Sequence, residues 1–365
     1  MSWQETLRGR ESEIPGKRLT VGFDGFVDVI VRPLRSPVRP GVSAQPFQTI
    51  REFGEFLISR AEKSCSIEWT AGGYRPGGNL PLLSRAAGTL GLSVSCIGML
   101  GTNGMIDPLF ADMPCKLYPF APPGQSVCME FNDGKVLFSS GLTIEENAWR
   151  RVMDATAGSA PGMFAEADLL ALVNWSELSF SHSLWQHVLN VLLEAPPDKM
   201  RFAFFDLCDV LRKTKEELRS VLQLIGQFSS RRTTILSLNE NEASVISERL
   251  LGGGEHAAET AYALHRDYDI DKVLVHTIHE SVLVSSGGMI RQMTAFVANP
   301  CISTGAGDHF NGAFCFASVM GFSDADCVAF ANEFAHFYIL QGRAPSLEDL
   351  CEMCDNPHGG SGKPC

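Results

Sequence analysis

No apolar run in this chain is long enough to cross a bilayer, and the opening Met1-Ser2-Trp3-Gln4-Glu5 lacks the apolar centre of a secretory signal. Positive charge is also in short supply. Thirty Lys and Arg stand against 42 Asp and Glu, a formal net charge of -12. Nucleic acid and anionic membranes are held by clustered cations, so neither is expected as a partner. A cytoplasmic location follows as the expectation. There is no internal repeat, which excludes solenoids and propellers. Eleven cysteines are present, but they are scattered through apolar runs such as Ser95-Cys96-Ile97 and Phe314-Cys315-Phe316, so reduced thiols rather than a disulfide framework are expected. Two nucleotide-loop signatures are missing as well. Gly305-Ala306-Gly307 is not followed by Lys-Ser or Lys-Thr, and Phe310 stands where a dinucleotide fold has its third glycine. Gly359-Gly360-Ser361-Gly362-Lys363 runs into Pro364 with no strand before it, which rules out a P-loop there.

What remains is a large apolar core, with 45% hydrophobic and 20% charged residues over a length of 365. From Ile144 onward strands and helices alternate, with strands at 169–173, 201–205 and 233–236 and helices at 145–155, 183–193 and 215–228. Such alternation builds a parallel sheet with helices on both faces, and ligands then lie at the carboxyl ends of the strands. Asp206 and Asn239 fall just beyond such ends. Before this region Leu19–Ile30 reads as one buried strand that opens onto a cleft, since Asp24 and Asp28 are costly to bury unpaired. A turn between two short strands is the simpler reading of the same residues. Helices are expected at 47–63 and 80–90. Asn132-Asp133-Gly134 between two apolar runs predicts a hairpin.

The stretch Ser303-Thr304-Gly305-Ala306-Gly307-Asp308 organises the whole. It follows a run with strand character and opens a helix, so its bare backbone amides and the positive end of the helix dipole suit a phosphate. Asp308 in the first turn can cap the helix, or it can take a proton from an attacking hydroxyl while the amides steady a moving phosphoryl group. Gly77-Gly78-Asn79 before a helix would let backbone approach a ligand whose hydroxyls Asn79 could bind. Asn239-Glu240-Asn241-Glu242 is an acidic helix start, favourable by dipole alone. His276 and His279 lie an odd number of residues apart on a strand, hence on opposite faces, and read as strand-end or surface histidines. Cys351, Cys354, His358 and Cys365 loosely resemble a zinc knuckle; a short helix and a Gly-rich tail explain them equally well.

Taken in order, these motifs resemble those of the ribokinase-like (PfkB) carbohydrate kinases across roughly residues 18–350. That resemblance implies an α/β three-layer sandwich with a mostly parallel central sheet and a small β lid. It places the kinase domain over 1–355, lid segments near 31–70 and 126–140, and a flexible tail at 356–365. It implies transfer of the ATP γ-phosphate, with Mg2+, to a hydroxymethyl group of a sugar or nucleoside. Asp308 would be the base, with Gly305, Ala306 and Gly307 as anion hole. Asp28, with Asp24 in reserve, and Gly77, Gly78 and Asn79 would hold the acceptor. Asn239 and Glu242 match the family's N-x-x-E motif at magnesium, and Thr277, Asn332 and Asn239 would meet the nucleotide. A homodimer through the lid stays open. So do two other readings, a vitamin kinase of pyridoxal or hydroxymethylpyrimidine type and a ligand-binding regulator of the same fold. The glycines of the usual T-x-G-x-x-G stretch are replaced by His279 and Val282, which motivates the last.

Overall fold

The computed structural model describes every residue except 1, 2, 42, 141–143, 145, 146, 254, 255, 296, 298, 299, 303 and 356–365, and the side chains of 351 and 353–355. Ser303 and the His358–Cys365 half of the cysteine/histidine cluster thus lie outside it. A nine-stranded sheet forms the middle layer. Its strands in spatial order are Gly288–Met293, Glu280–Ser285, Lys272–His276, Thr233–Asn239, Phe202–Asp206, Leu169–Leu172, Arg18–Phe23, Ser93–Gly98 and Lys116–Pro119. Neighbours from Lys116–Pro119 through Lys272–His276 pair in parallel, and the last two strands add an antiparallel edge. Central strands such as Leu169–Leu172 are buried throughout, because crossover helices cover both faces. Two apolar cores result. One joins Phe164, Trp185, Phe205 and Phe228 on one face; the other joins Val21, Phe204, Phe314 and Phe330 on the opposite face.

Four further strands, in the order Trp69–Gly77, Phe26–Pro33, Gly124–Phe131 and Gly134–Ser140, form a separate small sheet. The expected hairpin is present, with Asn132 and Asp133 at its turn. Beneath it Phe47, Phe53 and Phe131 make a miniature core with the helix Ile50–Ser59, which is shorter at both ends than expected.

The expectation of one strand over 19–30 is corrected. Arg18–Phe23 belongs to the large sheet and Phe26–Pro33 to the small one. The hydrogen-bond partners change between them: the Asp24 carbonyl accepts from Met99 N, beside the large sheet, while the Gly25 carbonyl accepts from Gly124 N, where the lid begins. The N-terminal residues are part of the packed fold. Trp3–Arg10 is a helix whose Trp3 packs edge-on against Phe330. Thiols are likewise not universal. Cys65, Cys96, Cys115, Cys128, Cys208, Cys315 and Cys327 are free, whereas Cys301 is disulfide-bonded. Among the described residues no helix is long and apolar enough to cross a membrane.

Candidate active site

The carboxyl ends of five adjacent strands bring Asp24, Asn174, Asp206, Asn239 and His276 to one rim of the large sheet. The helix Ala306–Val319 starts against that rim. It is buried from His309 to its end, as a helix apolar all round must be. Gly305 caps it in the left-handed region, at φ 84°, a conformation that only glycine adopts without strain. A left-handed residue before a right-handed helix turns successive N–H groups toward one point, and the first-turn amides of Ala306, Gly307 and Asp308 have no acceptor within the helix. Gly305, Ala306, Gly307 and Asp308 are therefore gathered as the sequence suggested.

Asn311, one turn after Asp308, ties this helix to the strand ends. Its Nδ2 donates to Asp206 at 2.7 Å, and its Oδ1 accepts from Ser237 Oγ at 2.7 Å. Asn79 stands close enough to Asp206 and Asp308 for its side chain to favour their ionised forms. Burial, and then the charges of Asp206 and Asp24, hold the Asp308 carboxyl well above the usual carboxylate range. Asp206 is raised to about 6 by burial and by Asp24. Glu242 is raised by burial and by Asp206. Four carboxylates thus raise one another in poorly solvated surroundings, an effect that the charge of Lys135 offsets only in part at Asp308.

The two acceptor candidates have different roles. Asp24 is fully buried and saturated, accepting from Asn79 N at 2.8 Å, Leu80 N at 2.7 Å and Asn174 Nδ2 at 2.8 Å. It holds the start of the helix Asn79–Thr89 and, through it, the Asn79 side chain. Asp28 sits on the lid strand Phe26–Pro33, half-buried, and accepts one bond from Ser126 Oγ. Burial raises its pKa. On the neighbouring strand Gly77, which pairs with Phe26, leaves room for the carboxylate, since a Cβ there would come within 2.3 Å of it. Gly78 stands between Asp24 and Phe26.

Asn239 ends its strand and caps the next helix, Glu240–Ile246. Asn239 and Glu242 bond reciprocally: Asn239 N and Nδ2 donate to the two Glu242 oxygens at 3.0 and 2.6 Å, and Glu242 N donates to Asn239 Oδ1 at 3.0 Å. The Thr277 hydroxyl accepts from His279 N and Glu280 N and so shapes the turn between two strands. Asn332 Oδ1 accepts from Ser281 Oγ at 2.8 Å. His276 is a strand-end residue as expected, but its ring packs on Phe310 at 4.9 Å and faces Gly307, and burial lowers its pKa to about 4. Among the described residues no cluster of three His, Cys, Asp or Glu could hold a bare metal ion.

Asp206, like Asn239, sits at a strand end where the alternating pattern places ligands, but no role is expected for it from sequence, and Asn174 and Asn311 are not among the expected residues. The same strand-end rule reaches Asn174, and Asn311 follows Asp308 by the spacing that places two residues on one helix face.

A family model described as prokaryotic ketohexokinase matches residues 4–356. The chain belongs to that family. With it come the ribokinase-like fold and the phosphotransferase class that the Gly-Ala-Gly-Asp stretch suggested. The ketohexokinase of Haloferax volcanii is 24% identical over 360 residues, covering 96% of this chain and 93% of that protein. Among solved structures, adenosine kinase from Sinorhizobium meliloti superposes with a TM-score of 0.65 at 18% identity, covering 93% of this chain and 99% of its own. Ribokinase from Arabidopsis thaliana, complexed with ribose and ATP, superposes with a TM-score of 0.60 at 19% identity, with 92% and 98% covered. Membership of the prokaryotic ketohexokinase family weighs against the vitamin-kinase reading.

Proposed function

We propose that this protein transfers the γ-phosphoryl group of ATP to a hydroxymethyl group of a ketohexose. The observation that carries the proposal is Asp308, half-buried in the first turn of the helix whose free amides face the same cleft. The acceptor hydroxyl gives its proton to Asp308, its oxygen bonds to the γ-phosphorus, and the bond to the ADP oxygen breaks. The raised proton affinity of Asp308 suits a base, and the helix N-terminus favours its ionised form. Asp28 on the lid and Asn79 on the floor would receive the other acceptor hydroxyls, with Gly77 and Gly78 allowing close approach. Thr277 and Asn332 would border the nucleotide.

The residues present fit magnesium. The pocket of raised carboxylates is short of positive charge, and Asn239 and Glu242 are spent on one another, so they would meet the ion through its waters, a mode magnesium favours. When bound, magnesium would offset the negative charge of the phosphates and the nearby carboxylates. Glu242→Gln is accordingly expected to raise the magnesium concentration for half-maximal turnover by about tenfold, while the acceptor dissociation constant changes less than twofold. Superimposable magnesium titrations would reduce Glu242 to a helix cap.

The deciding experiment compares ATP-dependent ADP release with fructose, tagatose, ribose, adenosine and pyridoxal, with the product located by phosphorus NMR. A ketohexose is expected to give the highest kcat/KM and a primary phosphate ester. Preference for adenosine or pyridoxal would overturn the proposal. Binding without turnover would favour the regulatory reading.

A further inference from the structure

Two aromatic side chains that the proposed reaction does not use are fixed to the backbone of the anion loop. His309 is buried, and its Nδ1 lies 2.8 Å from the Gly305 carbonyl oxygen, which already accepts from His309 N at 3.0 Å. A carbonyl can only accept, so Nδ1 carries the hydrogen and the ring is held in one tautomer. Tyr338, from the next helix, Asp324–Gln341, lies flat on that ring, with centroids 3.7 Å apart and planes 17° apart. Its hydroxyl donates to the Thr304 carbonyl oxygen at 2.8 Å. The two carbonyls that precede the phosphate-binding amides are therefore each held by one member of a stacked pair.

Among the described residues Gly22-Phe23 is the only cis peptide, so the Thr304-Gly305 and Gly305-Ala306 peptides are trans. In a trans peptide the C=O and the following N–H point in opposite directions within one plane. Holding the Thr304 oxygen on Tyr338 thus turns the Gly305 N–H away from Tyr338. Holding the Gly305 oxygen on His309 turns the Ala306 N–H out of the helix start. With Gly305 left-handed between them, the two N–H groups flank one concavity. The fit around the pair is close: a Cβ on Gly305 would meet Leu82 Cδ1 at 2.9 Å and the Tyr338 hydroxyl at 3.2 Å.

We propose that His309 and Tyr338 are positioning residues, which fix the direction of the Gly305 and Ala306 amides toward a bound phosphoryl group. This rests on the anion loop serving as proposed above. Donors fixed before the reaction contribute most where charge develops, so loss of either hold should lower kcat more than it weakens acceptor binding. Tyr338→Phe keeps the stack and removes one donor. His309→Phe keeps an aromatic ring and removes the other, whereas His309→Asn offers an amide N–H near the place of Nδ1.

The first measurement needs no acceptor. Inorganic phosphate is titrated into 15N-labelled protein while the Gly305 and Ala306 amides are followed by NMR. Wild type should shift both amides, Tyr338→Phe and His309→Phe should bind phosphate about tenfold more weakly, and His309→Asn should recover most of the loss. The second is steady-state kinetics with the best acceptor. Here kcat should fall about 10- to 30-fold in the two phenylalanine variants with the acceptor KM within twofold, and again recover in His309→Asn. A merely structural pair would lower melting temperature in step with activity and leave the amide titration unchanged in whatever protein stays folded. Phosphate affinities equal to wild type in Tyr338→Phe and His309→Phe would overturn the proposal, as would a wild type whose two amides ignore phosphate. If wild type phosphorylates nothing yet the amides titrate as described, the kinase reading fails and the positioning role stands.

Discussion

Asp308→Asn is expected to give a folded protein that binds acceptor and nucleotide normally and turns over about 10²–10⁴ times more slowly. Asparagine keeps the shape and an oxygen acceptor for the Asn79 side chain, but it cannot take a proton from a hydroxyl at neutral pH. The surroundings also argue that the fold will tolerate the change. Burial, and the charges of Asp206 and Asp24, disfavour the ionised carboxylate, so removing that charge relieves repulsion. Melting temperature should be unchanged or higher. The check is kcat beside the acceptor dissociation constant and the melting temperature. An unchanged kcat removes Asp308 from the chemistry; a large loss of stability makes it a structural cap instead.

Asp24→Ala should be the most damaging single change to the fold at this rim, costing about 2–4 kcal/mol by denaturant titration. Three donors now converge on that carboxylate, the amides of Asn79 and Leu80 and the Nδ2 of Asn174, and alanine leaves all three buried without an acceptor. Acceptor binding should weaken as well, because Asn79 loses its anchor. A cost below about 0.5 kcal/mol would show that water replaces the carboxylate. The subtler variant, Asp24→Asn, reports on charge. Burial raises the folded pKa of Asp24 from 3.8 to about 6, with the hydrogen bonds opposing it. For an acid raised in this way the folded state holds its proton more tightly than the unfolded chain. Its contribution is therefore greatest below about pH 4 and is lost as the pH climbs to about 6, a change of about 3 kcal/mol. The stability of wild type relative to Asp24→Asn should fall by about that amount between pH 4 and pH 7. A difference that does not vary with pH would contradict the raised pKa.

Much of this site can be read locally. The Gly-Ala-Gly-Asp stretch, the Asn239–Glu242 box and the Asn132-Asp133 turn each depend on residues within about four positions of one another, the range over which spacing dictates geometry. What escaped is non-local. Asn311 meets Asp206 across 105 positions, and Asn174 meets Asp24 across 150. No periodicity encodes such pairs. The division of 19–30 between two sheets escaped for a related reason, since it depends on Met99 and Gly124 arriving as partners for neighbouring carbonyls. Local sequence context favours Asp28 over Asp24 as the acceptor residue. Their separation into a buried anchor and a lid residue follows from the sheet to which each strand belongs.

The place of the first sheet strand has a consequence for synthesis. Arg18–Phe23 leaves the ribosome before its neighbours Ser93–Gly98 and Leu169–Leu172, which follow about 70 and 145 residues later in a chain made at about 5–20 residues per second. Trp3 waits longer still, for Phe330. Until then the apolar side chains of the first strand have only part of their native cover, from the helix Asn79–Thr89 and the strand Ser93–Gly98. The anion loop, near position 305, is made after every strand of the large sheet, so the mutually repelling carboxylates of the strand ends are in place before it arrives.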